Sequence, residues 1–158
     1  MSFLGKVKKK LRNGSWYPFY NTFYEKNNLD PHMILLESRS GKALESNILS
    51  LLKELCQEPY CGFTLVLSVH RDSENEIKEK LQKNSIQGVH FVRTGSVAYY
   101  HALSRAGYLV NDTSFPGRFI KKEGQIYLNT WHGTPLKKMG RDNRPEMVTM
   151  GNVQRNLL

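Results

Sequence analysis

From Asp30 onward the sequence alternates between two hydrophobic periods, and that alternation restricts the fold more than any other feature. Met33-Ile34-Leu35-Leu36 is a short apolar run, Glu37 to Lys42 is polar, and Leu44, Ile48, Leu51, Leu52 and Leu55 then recur at helical spacing. Phe63 to Val69 is a second apolar run. A charged stretch over about Ser73 to Asn84 follows, with Ile77 and Leu81 marking one helix face. Val89 to Val92, Tyr108 to Val110 and Ile126 to Thr130 read as further strands, and Val97 to Leu103 as a helix. Unbroken apolar runs of this length suit buried strands. Strands separated by helices need right-handed crossovers, so the pattern predicts an α/β fold: a mainly parallel sheet with flanking helices, Rossmann-like in plan. Sheets of this kind bind ligands outside the carboxyl ends of their strands. The loops expected there are Glu37 to Lys42, Val69 to Asp72, Arg93 to Ser96, Asn111 to Gly117 and Trp131 to Pro135.

Composition narrows the class. The 158 residues suit about one domain. Seventeen aromatics are far more than a solvated tail carries. No apolar run approaches the roughly 20 residues of a spanning helix, and no secretory signal core follows Lys6 to Lys10. Cys56 and Cys61 make no disulfide framework and lack zinc-ligand spacing, so they read as partly buried thiols. Lysine and arginine outnumber acids 23 to 14, a formal charge of +9, and five of those cations lie in the first twelve residues. There Phe3, Leu4, Val7 and Leu11 follow helical spacing, so the segment is either a short basic helix on an anionic bilayer or a cap on the next domain. The aromatic cluster from Trp16 to Tyr24 reads as packing. The expected division is 1–28 as a basic and aromatic segment, 29–150 as the Rossmann-like domain, and 151–158 as the start of a helix leading onward.

Among the strand-end loops, Gly41-Lys42 invites comparison with a nucleotide phosphate loop. It fails, because Leu36 stands where a glycine is needed and Ala43 where a Ser or Thr is needed. A three-glycine dinucleotide fingerprint is also absent. Arg39 and Lys42 remain as phosphate contacts, while Ser40 or Ser46, the latter preferred, would cap the helix that follows. His132 follows the last strand and precedes Gly133-Thr134-Pro135, the start of another helix with Thr134 as its cap. Amides at such a start favour an anion, and Lys137 and Lys138 add charge one turn in. A neutral imidazole there suits a general base; the alternative is a histidine that braces a turn. His70 stands at a strand end near the crevice, His90 is expected to pack within its strand, and His32 and His101 read as structural.

Tyr127-Leu128-Asn129-Thr130-Trp131-His132-Gly133-Thr134-Pro135-Leu136-Lys137-Lys138-Met139-Gly140-Arg141-Asp142 resembles the signature segment of CDP-glycerol glycerophosphotransferases, which build teichoic-acid polymers. Leu36 to Lys42 with Ser46-Asn47, and Asn111 to Pro116, look like earlier segments of the same family. The resemblance runs from about Met33 to Leu158. It implies the amino-terminal half of a GT-B type transferase whose carboxy-terminal donor-binding half has no counterpart here, so that the chain by itself is expected to be inactive or nearly so. It also implies His132 as the general base, with acceptor or phosphate contacts at Gly133, Thr134, Lys137, Lys138, Arg39, Lys42, Asp112 and Ser114. CDP-glycerol would be the donor, a polyol-phosphate polymer the acceptor, and the inner face of the cell membrane the place of action, in the cytoplasm and peripherally bound. No tightly held metal or cofactor and no nucleic-acid partner are implied. Two other readings stay open: a non-catalytic basic module that binds polyanions, and a related transferase using CDP-ribitol or a nucleotide sugar.

Overall fold

A computed structural model describes residues 17–116 and 119–131. The expected amino-terminal basic helix, the expected helix after Thr134, and His132, Gly133, Thr134, Lys137 and Lys138 lie outside the described residues. Five strands form one sheet: β1 (Asp30–Glu37), β2 (Thr64–Val69), β3 (Val89–Arg93), β4 (Ala106–Asn111) and β5 (Ile126–Asn129). Among the described residues four α-helices accompany them: α1 (Tyr17–Lys26), α2 (Ser46–Leu55), α3 (Glu74–Lys83) and α4 (Val97–Arg105). The strand order is β3-β2-β1-β4-β5, and every pairing is parallel. The chain winds from β1 outward to β3, then crosses back to lay β4 on the other side of β1. The expected α/β, Rossmann-like sheet is therefore present, and its direction of winding reverses between β1 and β4.

Side-chain alternation builds the two layers. Ile34 and Leu36 point to one face, where Leu44 from the loop before α2, Ile48 and Leu52 from α2, and Ile77 and Leu81 from α3 cover them. Leu35 points to the other, against Tyr99, Ala102 and Leu103 of α4 and Tyr20 of α1. Burying each such large apolar side chain contributes about 1.5–3 kcal/mol, so both faces are firmly held. In α3 Glu74 and Glu76 occupy the first turn and Lys80 and Lys83 the last, matching the helix dipole. Ser96 caps α4, its Oγ accepting the Tyr99 amide at 3.2 Å. The packing role expected for the aromatic cluster holds at Tyr20, which is buried and touches Tyr24, Tyr100 and Phe119.

Three local expectations are corrected. Neither serine caps α2: Glu45 occupies the cap position without a side-chain cap bond, and Ser40 lies inside a preceding 3-10 turn, Arg39–Gly41. His90 is exposed rather than packed, because β3 is an edge strand. Cys61 is exposed, its thiol donating to Glu58 Oε1, while Cys56 is half-buried as expected.

Candidate active-site crevice

The reversal between β1 and β4 separates the loops that follow them, and the sequence-selected residues Arg39, Lys42, Asp112 and Ser114 all lie on these two loops. The loop after β1 is strained. Arg39, Ser40 and Gly41 have φ of 49°, 54° and 77°, all in the left-handed region. Two consecutive non-glycine residues there cost on the order of 1–3 kcal/mol each. The conformation is held from both flanks. Asp112 Oδ2 accepts from Ser38 Oγ at 2.7 Å and Asp112 Oδ1 from the Arg39 amide at 2.8 Å. On the other flank the His70 amide donates to Gly41 O at 2.6 Å. A Cβ on Gly41 would collide with the Thr94 hydroxyl and stand 2.8 Å from the His70 amide nitrogen, so glycine is required both by φ and by space.

These contacts sort the predicted residues. Asp112 is buried at 4% exposure with both oxygens engaged, so it braces the loop. Arg39 and Lys42 display their cations to solvent, Arg39 within 3.6 Å of Glu45. With both partners about half exposed, that pair is worth little and leaves the guanidinium available. Ser114 is exposed on the β4 loop. His70 is half-buried beside Asp72 at 3.5 Å, bound into its own 3-10 turn. His101 lies edge-on to Phe23 on the α4 side, and His32 stands 6.0 Å from the Phe63 ring.

Beneath these loops lies a buried polar row that sequence reasoning did not pick out. Leu35, Val66 and Leu109 face the α4 side, so two residues on Glu37, Ser68 and Asn111 face the same way at the strands' carboxyl ends. Asn129 extends the row, paired with Asn111 across β4 and β5. Burial, with a smaller push from the Asp112 charge, raises the Glu37 carboxyl to about 6 against the opposing hydrogen bonds of Ser68 and Tyr99. Tyr99 is wholly buried, and its hydroxyl is driven well above the usual tyrosine range by that burial and by Glu37. Its Oη nevertheless closes no hydrogen bond of normal geometry, nor do Glu37 Oε2, Asn111 Nδ2 and Thr113 Oγ1 among the described residues. The available signal was a polar residue ending each apolar run, at the position where the alternation still points inward.

The chain leaves β5 through a network of side-chain and backbone bonds. The Thr130 amide donates to Asn111 O at 2.8 Å, and Tyr127 Oη donates to Asn111 Oδ1 at 3.0 Å. Asn129 Oδ1 accepts the Trp131 amide at 3.0 Å, and Trp131 itself has φ 45°. Trp131 immediately precedes His132 in the sequence. Among the described residues no three His, Cys, Asp or Glu side chains are grouped as a metal site. A cavity of about 480 Å³ lies between the last turn of α2, at Lys53 and Cys56, and the end of α3, at Lys83 to Ile86. It sits at the other end of the sheet and shares no residue with the crevice.

A parallel sheet with a braced loop at its switch point places the chain among the open α/β domains, whose ligand crevices lie at that edge. The chain matches the family model described as CDP-Glycerol:Poly(glycerophosphate) glycerophosphotransferase over residues 19–158, and it belongs to that family. It is 31% identical over 123 residues to a teichoic acid poly(glycerol phosphate) polymerase of Staphylococcus epidermidis, covering 78% of this chain and 16% of that protein. To a teichoic acid glycerol-phosphate transferase of Staphylococcus aureus it is 28% identical, covering 86% of this chain and 33% of the relative. The solved wall teichoic acid polymerase TagF superposes with a TM-score of 0.68 at 26% identity, over 97% of this chain and 36% of that one. A TagF variant soaked with CDPG superposes with a TM-score of 0.66 at 26% identity, over 99% and 39%. The chain thus spans well under half the length of each of these relatives.

Proposed function

We propose that this chain is the acceptor-side half of an enzyme that transfers glycerol phosphate from CDP-glycerol to the terminal hydroxyl of a poly(glycerol phosphate) acceptor. One observation carries the reading: β5 ends at Asn129, three residues before His132, so the family's signature segment runs out of the carboxyl end of the strand paired with β4, the same end of the sheet that carries the braced Arg39–Lys42 loop. In this reaction the acceptor oxygen attacks the β-phosphorus of CDP-glycerol, an O–P bond forms, the bond to CMP breaks and CMP leaves. His132 takes the hydroxyl proton as general base. The amides after Gly133, with Thr134, Lys137 and Lys138, have the role of stabilising acceptor phosphate or developing charge, and Arg39, Lys42 and Ser114 supply further contacts from the loops after β1 and β4. Asp112 serves these contacts indirectly, by fixing the backbone under Arg39. Holding the acceptor hydroxyl beside His132 lowers the barrier through proximity.

The donor contacts belong to a carboxy-terminal half of GT-B type, and the enzyme works at the cytoplasmic face of the membrane, bound peripherally. The test is CMP release from CDP-glycerol by this chain alone and by the chain joined to a family carboxy-terminal half. The joined enzyme is expected to turn over and the chain alone to be nearly inactive. His132→Ala should lower kcat by at least about 10²-fold, and near-normal turnover in that variant would remove His132 from its role.

A further inference from the structure

We propose that Asn129 is a positioning residue that fixes the direction in which the chain leaves β5, and with it the placement of His132. The inference rests on the function proposed above and deepens it. Asn129 joins two strands' loops through one carboxamide: Oδ1 accepts the Trp131 amide at 3.0 Å, and Nδ2 donates to Thr113 O at 2.6 Å. The orientation of the amide is set by its partners, since a backbone N–H can only donate and a carbonyl can only accept. Nδ2 also lies 3.3 Å from Tyr127 Oη, which in turn donates to Asn111 Oδ1. The clamp is thereby anchored to the buried row at the end of β4.

The backbone conformation makes the clamp necessary. Trp131 holds φ at 45°, a region a bulky residue avoids at a cost on the order of 1–3 kcal/mol. Its side chain is 44% exposed, so core packing does not dictate that conformation. What holds it is the bond from its own amide to Asn129, with Thr130 tied to Asn111 just before. Released from Asn129, Trp131 would return to a common φ, and the chain would leave β5 in another direction. An error of this kind of about 1 Å in a catalytic group can cost about 10²-fold in rate.

The experiment is a double-mutant cycle on CMP release by the joined enzyme, using His132→Ala, Asn129→Ala and the pair. Asn129→Ala should lower kcat by about 10- to 100-fold and leave the KM for CDP-glycerol within about twofold, since KM reports the donor contacts. In the His132→Ala background the same change should have almost no further effect on kcat, because a displaced base is lost only once. Asn129→Asp, which keeps the acceptor for Trp131 but sets a carboxylate oxygen against Thr113 O, should fall between wild type and Asn129→Ala. Multiplicative losses in the cycle, a normal kcat in Asn129→Ala, or loss through KM alone would each overturn the proposal. If Asn129→Ala does not fold, Asn129→Asp takes its place in the same cycle. Should His132→Ala turn over normally, the proposed function falls first; an inactive His132→Ala beside a normal Asn129→Ala sinks only the clamp.

Discussion

Glu37 ends the central strand with a side chain only 2% exposed, and its surroundings favour the neutral acid. Because its folded pKa, about 6, exceeds its ordinary value of 4.5, folding binds a proton that the unfolded chain releases more readily. The resulting stabilisation, about 2 kcal/mol from 1.36 kcal/mol per unit, is complete below about pH 4.5 and is lost as pH rises through 6, where the buried carboxyl must ionise. Glu37→Gln should therefore stabilise the fold by about 1–2 kcal/mol at pH 7.5 and hardly at all at pH 4.5. Urea denaturation at the two pH values measures the difference. An equal effect at both would mean that packing, not charge, decides. A residue kept at such a cost at the floor of the crevice fits a polar layer that orders the loops above it.

The loop after β1 shows how an element can be legible in position and illegible in form. Its place follows from the end of the Met33–Leu36 run, and Arg39 and Lys42 stand out there as cations. Its strained shape does not follow, since Asp112, 74 residues from Ser38, supplies the brace. Gly41 and Gly88 separate the two demands that the fold makes on glycine. Both have positive φ, 77° and 74°, but a Cβ at Gly88 meets nothing within 4 Å, whereas at Gly41 it meets the end of β2. Gly88→Ala should cost about 1 kcal/mol, the penalty of the left-handed backbone alone. Gly41→Ala should cost at least twice as much, because the loop must also lift from Thr94 and His70. Unfolding midpoints of the two variants, compared at constant denaturant slope, check the ratio.

The whole molecule separates charge from fold. The described residues hold twelve Lys and Arg against twelve Asp and Glu, so the entire +9 resides in residues 1–16, 117–118 and 132–158. The sheet domain itself is electrically balanced, which disfavours a polyanion-binding module spread over its surface. The positive segments are the one that begins the sequence and the one that carries the signature string. No helix among the described residues is long and apolar enough to cross a membrane. If attachment is peripheral, it belongs to the first segment: removing residues 1–14 should abolish co-sedimentation with anionic vesicles at low salt and leave neutral vesicles unaffected. Equal pelleting of the full and shortened chains would exclude that segment as the anchor.

What the sequence determined by itself is the kind and order of the elements and the family. Hydrophobic period is a local property, written within ten residues, and the Trp131 to Lys138 string is contiguous. Helix ends were less legible, as Ser46 shows, because the chain approaching α2 is held by Ser38 Oγ on the Glu45 amide rather than by a cap from its neighbour. The exposure of His90 likewise depended on which strand became an edge. Only the tertiary structure decided that Glu37, Ser68, Asn111 and Asn129 share one row, that Asp112 serves Arg39, and that Asn129 reaches both Trp131 and Thr113. Those meetings depend on strand order and register, which are set by burying both faces of the sheet at once, and no window of sequence contains that balance.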